Sequence, residues 1–325
     1  MTKKENLLHA LTGKPVEYVP SFFDSVTTFD PGPAQEFPPF GSPGGPDGYG
    51  VLWTATDSAA GAFTPSPVDA HVLTDITKWK EQVTFPHASE EAWEKGAEIE
   101  LAILHHSPDK LLNCMSPNGL FERLHMLMGF EDALVAIYEE PEAVCELLDA
   151  ITEYKISVVK HAAKYYHPDV FTYLDDYAFE NGLLMSPDVF RELFKPRIQK
   201  IIDAVHKENI LFKMHCCGKM ESLLGDFLEM GIDSLDPCQP CNDVKQMIDK
   251  AHGKIGFMGG LDIKIIDKPD ATEAEIREET RRCIQTYGPT GYIVGCASLY
   301  QYDFREFAPG GRFWTINDEC AAAGR

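Results

Sequence analysis

The chain has 325 residues, of which 44% are hydrophobic and 25% are charged, a composition typical of globular proteins. Its formal net charge of −22 repels nucleic acid and anionic membranes, which excludes both as main partners. No apolar run is long enough to span a bilayer, so the sequence predicts no membrane helix. The charge serves either solubility alone or docking to a basic partner surface.

The N-terminal segment MTKKENLLHALTGK has a short amphipathic apolar part, which predicts a first helix and not a signal peptide. The nine cysteines are an odd number in a long chain, which argues against a disulfide framework. We therefore expect a reducing, cytoplasmic location, where clustered thiols suggest metal or redox chemistry.

Eight short segments predict β-strands, and several are the continuous apolar runs expected of buried parallel strands. In chain order they are residues 18–24, 51–55, 110–116, 170–176, 210–216, 232–237, 254–260 and 292–298. Helical patterns lie between them, the clearest being 141–166, 186–208 and 273–288. Pro196, inside the second of these patterns, is expected to kink or split that helix.

This alternation predicts an α/β protein, a (β/α)8 TIM barrel that forms a single domain over residues 1–325. A doubly wound open sheet is the alternative. The absence of GxGxxG or a P-loop after an early strand argues against a nucleotide-binding version of that sheet.

Residues 31–50, PGPAQEFPPFGSPGGPDGYG, follow the first predicted strand and are rich in proline and glycine. In a barrel this segment lies on the C-terminal face, which carries active sites. It is either a disordered loop or a lid over the barrel mouth, because long loops in compact domains often cover active sites.

The stretch MHCCGKM (214–220) joins a histidine and two thiols at the end of a predicted strand. Alternation along the strand directs His215 and Cys217 to one face and Cys216 to the other, against a helix. Cys296 ends the last predicted strand, on the same rim of a barrel. One imidazole and two thiolates suit Zn²⁺ and leave a fourth position open, as in catalytic sites. The alternative is three buried, unrelated residues.

Asp175 and Asp176 lie at the end of the fourth predicted strand, on the same rim. They are candidates for a general acid, a substrate anchor or an extra metal ligand, or they are solvated loop charges. The CQPC segment (238–241) is a weaker candidate for redox or metal chemistry, because no helix begins after its first cysteine.

These residues resemble the uroporphyrinogen decarboxylase superfamily, a (β/α)8 barrel family, over nearly the whole chain. The similar stretches are 128–149, 182–209, 231–237, 256–262 and the closing YIVGC. The chain is most similar to the zinc- and corrinoid-dependent methyltransferase branch, whose zinc motif falls on His215, Cys217 and Cys296. True decarboxylases carry an arginine-rich segment near the N-terminus, whereas this chain has no arginine before Arg123. The resemblance therefore argues against porphyrinogen decarboxylation.

Residues 47–86 are similar to the methyltransferase I component of aryl-ether O-demethylases. That similarity implies transfer of a methyl group from a methoxyarene to the cob(I)amide of a separate corrinoid protein, with zinc as a Lewis acid. This chain lacks the DxHxxG corrinoid-binding signature, so the corrinoid is expected on a partner. Asp175 or Asp176 would then anchor a ring hydroxyl or deliver a proton.

Rim aromatic residues would form a flat pocket for the substrate ring, although each is also a plausible core residue. They are Phe22, Phe23, Trp53, Tyr173 and Tyr300. The alternative activity is a methylcobamide:coenzyme M (thiol) methyltransferase. Further alternatives are a decarboxylase-like enzyme and a non-catalytic zinc-stabilised barrel that binds a small ligand. The sequence leaves the oligomeric state open, with a homodimer as one option.

Overall fold

The computed structural model describes residues 1–39, 42–55, 63–65, 71–298 and 303–324. Its α-helices are α1 (Lys3–Leu11), α2 (Trp79–Gln82), α3 (Glu90–Ile103), α4 (Leu120–Met128), α5 (Phe130–Glu139), α6 (Pro141–Tyr165), α7 (Pro187–Val189), α8 (Lys195–Lys207), α9 (Leu224–Met230), α10 (Val244–Ala251), α11 (Ile263–Ile266), α12 (Glu273–Tyr287) and α13 (Arg312–Ala323). Within the described ranges, none of the helices combines the length and the apolar character that a bilayer crossing requires.

The strands are β1 (Val26–Phe29), β2 (Gly44–Pro46), β3 (Leu52–Ala55), β4 (Phe63–Pro65), β5 (Leu111–Ser116), β6 (Val170–Leu174), β7 (Ala178–Phe179), β8 (Gly182–Leu183), β9 (Leu211–His215), β10 (Ser234–Cys238), β11 (Gly256–Gly260) and β12 (Tyr292–Gly295). Seven of them form one parallel sheet in the order β1-β5-β6-β9-β10-β11-β12. The fold is thus the predicted α/β type, built on a parallel sheet whose successive strands are joined by helices.

The first predicted strand, 18–24, is divided in the structure. Ser21 forms an isolated parallel bridge with Val294 in β12, and the Phe22 amide donates to the Val294 carbonyl at 3.0 Å. The chain then turns and pairs with β5 only from Val26 onward. The chain around Ser21 therefore contacts β12, at one end of the strand order, while β1 pairs with β5 at the other end. These contacts bring the two ends of the sheet towards each other, so the sheet curls as in a TIM barrel.

The prediction that 51–55 is a barrel strand is wrong. That segment is β3, the middle strand of a separate antiparallel sheet in which Trp53 pairs with Gly45 and Pro65. Antiparallel neighbours need only short connections, whereas a parallel strand needs a crossover of a dozen or more residues. Between β1 and β3 the described residues contain a short 3₁₀ turn at Gly32–Ala34 and the strand β2, but no helix long enough for such a crossover.

The helix pattern at 186–208 is interrupted, as the internal proline predicts. A π-helical segment, Phe190–Phe194, separates α7 from α8, and the Lys195 amide donates to the Phe190 carbonyl five residues back. Pro196 follows directly and has no N–H to continue an α-helical ladder.

The amino ends of the strands are filled by apolar side chains from the sheet and from α1. Leu111, Val170 and Ile293 pack there with Leu7 and Leu11 of α1. Closer to the carboxyl ends of the strands, polar side chains lie inside the sheet. One is Thr172, whose hydroxyl donates to Asn113 Oδ1 at 2.6 Å. Thr172 is also the register partner of Lys213, so both side chains leave the sheet on the same face.

The loop 31–50, described except for residues 40 and 41, is anchored by two buried acids. Glu36 contacts Arg123 of α4 and Lys155 of α6, each at 2.6 Å. Asp47 contacts the same arginine at 2.7 Å. All four side chains are at most 1% exposed. The role of this loop as a lid stays a prediction, but the structure ties the loop to two helices.

Candidate metal centre

At the end of β9 the thiols of Cys216 and Cys217 lie in different surroundings. His215 Nε2 lies 3.5 Å from Cys217 Sγ. Cys216 is fully buried in the hydrophobic core, and its sulfur accepts a hydrogen bond from the Tyr177 amide. The two sides of the strand are thus used differently, which is the arrangement that strand alternation predicts.

The carboxylate of Asp176, which follows the neighbouring strand β6, completes a three-residue cluster. Potential ligand atoms of Asp176, His215 and Cys217 all lie within 4.8 Å of one another. Asp176 follows β6, the sheet neighbour of β9, and its Oδ1 accepts a hydrogen bond from the Cys217 amide at 2.6 Å. Nitrogen, sulfur and oxygen donors of this kind are the ligands that Zn²⁺ prefers.

Cys296, the predicted third ligand, does not join that cluster at this distance among the described residues. It directly follows β12 and is 5% exposed. Burial first, and then the charge of Asp267, raises the pKa of its thiol. The His215–Cys217–Cys296 ligand set stays a prediction, and the cluster itself contains Asp176 in addition.

The electrostatics of the cluster fit a divalent cation. Burial first, and then acidic groups led by Asp176, raise the pKa of the Cys217 thiol well above its usual range. A bound dication would offset that negative charge and favour the thiolate. The half-buried donor set and its surplus of acids therefore suit a metal ion such as zinc.

Asp175, the neighbour of Asp176, is held within the fold. Its carboxylate accepts hydrogen bonds from the backbone amides of Phe121 and Glu122 at 3.1 and 2.9 Å, in the first turn of α4. Burial raises the pKa of Asp175 to about 6. A Cβ at Gly119 would lie only 2.4 Å from the Asp175 Cβ, so this approach requires glycine. The Asp175 carboxylate therefore caps the N-terminus of α4. Its catalytic role stays a prediction.

Two of the predicted substrate-binding aromatic residues are buried and bonded internally. Trp53 is 3% exposed, and its Nε1 donates to Asp47 at 3.0 Å. Tyr173 is fully buried, and its hydroxyl donates to Asp175 at 2.9 Å. Both side chains support neighbouring segments in this structure.

The other three predicted aromatic residues differ in position. Phe22 is half-buried, and the Lys213 ammonium lies 4.1 Å from its ring centroid. Phe23 packs against Phe313 of α13, with ring centroids 4.4 Å apart. Tyr300 lies outside the described residues. Phe22 also packs against the apolar cluster that includes Leu111, Val170 and Ile293, so its role in substrate binding stays a prediction.

Sequence reasoning missed two residues beside the cluster. Asp236 in β10 is the register partner of His215, and its Oδ1 lies 3.3 Å from His215 Nδ1. Lys213 contacts the other oxygen of Asp236 at 2.7 Å. The available signal was a lysine two residues before the histidine on an otherwise apolar strand, which places both side chains on one face.

The CQPC segment lies beside the site without forming a disulfide. Cys238 is buried in β10 and Cys241 is half-buried, and both are free thiols. Gln239 between them accepts a hydrogen bond from the Gly218 amide at 2.6 Å. The segment thus supports the turn that follows Cys217.

A family model for uroporphyrinogen decarboxylase (URO-D) matches residues 113–303. The chain belongs to the uroporphyrinogen decarboxylase family. This confirms the superfamily expected from the sequence, and the matched region contains all three residues of the cluster.

Two individual proteins are similar to this URO-D family member. The methylcobamide:CoM methyltransferase MtaA of Methanosarcina barkeri is 33% identical over 63 residues, a match that spans 19% of this chain and 18% of that relative. A methyltransferase from Methanosarcina mazei has a similar structure, with a TM-score of 0.61 and 19% identity over 100% of this chain and 98% of its own. At that identity the structural similarity establishes the fold alone.

Proposed function

We propose that this protein is a zinc-dependent methyltransferase that exchanges a methyl group with a corrinoid carried by a separate protein. The observation that carries the proposal is the Asp176–His215–Cys217 cluster at the carboxyl ends of parallel strands, where barrel enzymes place their active sites. The partial match to a methylcobamide methyltransferase supports the same class of reaction.

In this proposal His215 and Cys217 hold the zinc, with Cys296 as the third protein ligand and Asp176 beside it. When bound, zinc would supply Lewis-acid activation of a substrate oxygen or sulfur. The chain's own contribution is orientation: the Cys217 amide fixes one oxygen of Asp176 at 2.6 Å, which holds the acid against the metal site. Asp176 is then placed to bind the metal or to anchor a substrate hydroxyl.

A methoxyarene is the methyl donor that we propose, with the cob(I)amide of the partner as acceptor. Burial first, and then acidic groups that include Asp176 and Asp236, raise the pKa of the Cys217 thiol. The nearby cation Lys213 is already paired with Asp236. Such surroundings favour a neutral methyl donor over an anionic one.

Thiol methylation is the second candidate. It is supported by the similarity to the methylcobamide:CoM methyltransferase, although that match covers a small part of both chains. In this reaction the acceptor is a sulfur nucleophile and the corrinoid is the methyl donor. The sulfonate of coenzyme M would need a cation near the cluster.

Porphyrinogen decarboxylation is the least supported alternative. The first arginine of the chain, Arg123, is fully buried in ion pairs with Glu36 and Asp47. Its guanidinium is therefore paired inside the protein and cannot bind substrate carboxylates in this structure.

One experiment decides between the two methyl-transfer reactions. The zinc-loaded protein is incubated with a reduced corrinoid protein and a panel of methoxyarenes, and methyl-Co(III) absorbance is followed. In parallel, methylcobalamin is supplied with coenzyme M, and loss of the methyl-cobalt band is measured. Methylation of cobalt only in the first arm supports O-demethylation, and demethylation only in the second supports the thiol reaction. Activity in neither arm, with Cys217→Ala as the background, contradicts the proposal.

A further inference from the structure

Two buried charged side chains, Lys213 and Asp236, lie in a row that ends at His215. Lys213 and Asp236 are 2% and 3% exposed, and Lys213 Nζ lies 2.7 Å from Asp236 Oδ2. The other oxygen, Asp236 Oδ1, is buried, has no hydrogen bond to any described residue and lies 3.3 Å from His215 Nδ1. The opposite nitrogen of the ring, Nε2, faces Cys217 Sγ at 3.5 Å.

We infer that Asp236 is a positioning residue that fixes the tautomer of His215, and that Lys213 fixes Asp236. A carboxylate facing Nδ1 favours a proton on that nitrogen, which leaves the Nε2 lone pair directed towards Cys217 and available to a metal. The inference rests on the proposed metal site, but it concerns groups that lie behind the ligands.

The sheet holds this arrangement rigidly. Asp236 and His215 are register partners on adjacent parallel strands, and the Cys216 amide donates to the Asp236 carbonyl at 2.7 Å. Lys213 lies two residues before His215, on the same face of β9, and its ammonium packs over the Phe22 ring. Neither charged side chain can move without breaking buried contacts.

The roles of the two residues predict a specific failure in Asp236→Asn. The amide has one acceptor oxygen, and lysine is only a donor, so Lys213 takes that oxygen. The NH₂ group then faces His215 Nδ1, which must become an acceptor. The ring proton moves to Nε2, the nitrogen that a metal would need. Removing the lysine as well, in Lys213→Met/Asp236→Asn, frees the amide oxygen to turn towards Nδ1.

The test measures zinc affinity by competition with a chromophoric chelator, together with the His215 tautomer by long-range ¹H–¹⁵N NMR of the metal-free protein. Asp236→Asn should weaken zinc binding about 10- to 100-fold and move the ring proton from Nδ1 to Nε2. The double variant should recover part of the affinity and restore the Nδ1 proton. Recovery by a second substitution would not be expected if Asp236 only stabilised the fold.

Asp233→Asn is the matched control. Asp233 also faces a histidine, His206, at 2.8 Å and accepts a hydrogen bond from the Phe212 amide, but it is not part of the Asp176–His215–Cys217 cluster. Its substitution should leave zinc affinity unchanged. The inference is overturned if Asp236→Asn binds zinc like the wild type, if Asp233→Asn weakens binding equally, or if the double variant recovers nothing. Because neither readout uses methyl transfer, failure of the proposed reaction would be seen separately.

Discussion

The Cys217 amide donates a hydrogen bond to the Asp176 carboxylate across two adjacent strands, with the nitrogen 2.6 Å from Oδ1. This bond joins the ends of β6 and β9 at the point where the cluster forms. Because it uses only one oxygen of Asp176, the carboxylate can be held in place and still offer Oδ2 to a metal or substrate.

The neighbouring cysteines should respond differently to alanine substitution. Cys217→Ala should lose the bound zinc, since it removes a thiolate next to His215. Cys216→Ala should keep one zinc per chain, because its side chain is in the core. Metal analysis after gel filtration measures both. Loss of zinc in Cys216→Ala with retention in Cys217→Ala would refute the assignment.

Cobalt substitution should identify the remaining ligands. We expect Cys296→Ala to weaken the thiolate-to-cobalt absorption band and Asp176→Ala to leave that band in place, since a carboxylate contributes no sulfur transition. Both variants should bind the metal less tightly than the wild type. An unchanged spectrum and affinity in Cys296→Ala would remove that cysteine from the ligand set and leave the cluster with Asp176.

The buried ion pairs that anchor the loop 31–50 should stabilise the folded protein far more than an exposed ion pair does. Arg123→Met would leave Glu36 and Asp47 buried without their common partner, at a cost of about 3–5 kcal/mol. Urea unfolding followed by circular dichroism measures the change. Lys95→Ala breaks an exposed pair with Glu91 and should cost less than about 1 kcal/mol. Similar losses in the two variants would contradict the argument.

His125 should make the protein less stable in mild acid. Burial first, and then Arg123, lowers the pKa of His125 from its ordinary value of 6.5 to about 4. Between these values the unfolded chain binds more protons than the folded one, so stability rises with pH across the window and is lost as pH falls. Other groups titrate in the same range, so the measured quantity is the difference from His125→Phe. The urea midpoint of that variant should fall less between pH 6.5 and 4. Parallel curves for the two proteins would refute the prediction.

The loop 31–50 should become more protected when a ligand occupies the barrel mouth. Limited proteolysis with and without a methoxyarene and the corrinoid protein measures this. The anchors at Glu36 and Asp47 predict that cleavage, where it occurs, falls between them. Identical cleavage under all conditions would remove the lid role from this segment.

Local patterns in the sequence were sufficient to predict the inner strands and to name the residues of the cluster as candidates, with Asp176 as one option for an extra metal ligand. The segments 170–176, 210–216 and 254–260 are short continuous apolar runs, and each contains a strand of the parallel sheet. The two-residue period of a strand is enough to pair His215 with Cys217, because it depends only on the chain itself.

The remainder depends on contacts between distant residues. The pairing of Asp236 with His215 follows from the register of two strands, which periodicity does not specify. The Glu36–Arg123 pair joins residues 87 positions apart, so a loop that looked unstructured by composition is held by charges elsewhere. The segment 51–55 has the composition of a strand, but composition does not say which sheet it joins.

The anchoring of the loop 31–50 limits how this protein can be re-engineered. Deleting or grafting the segment would remove Glu36 and Asp47 and leave Arg123 in α4 and Lys155 in α6 buried without their acidic partners. A loop transplant would therefore have to carry both helices, or replace both cations with apolar residues. Changes of specificity should be obtained more easily by point substitutions between the two anchors, where the chain carries no buried charge partner for either helix.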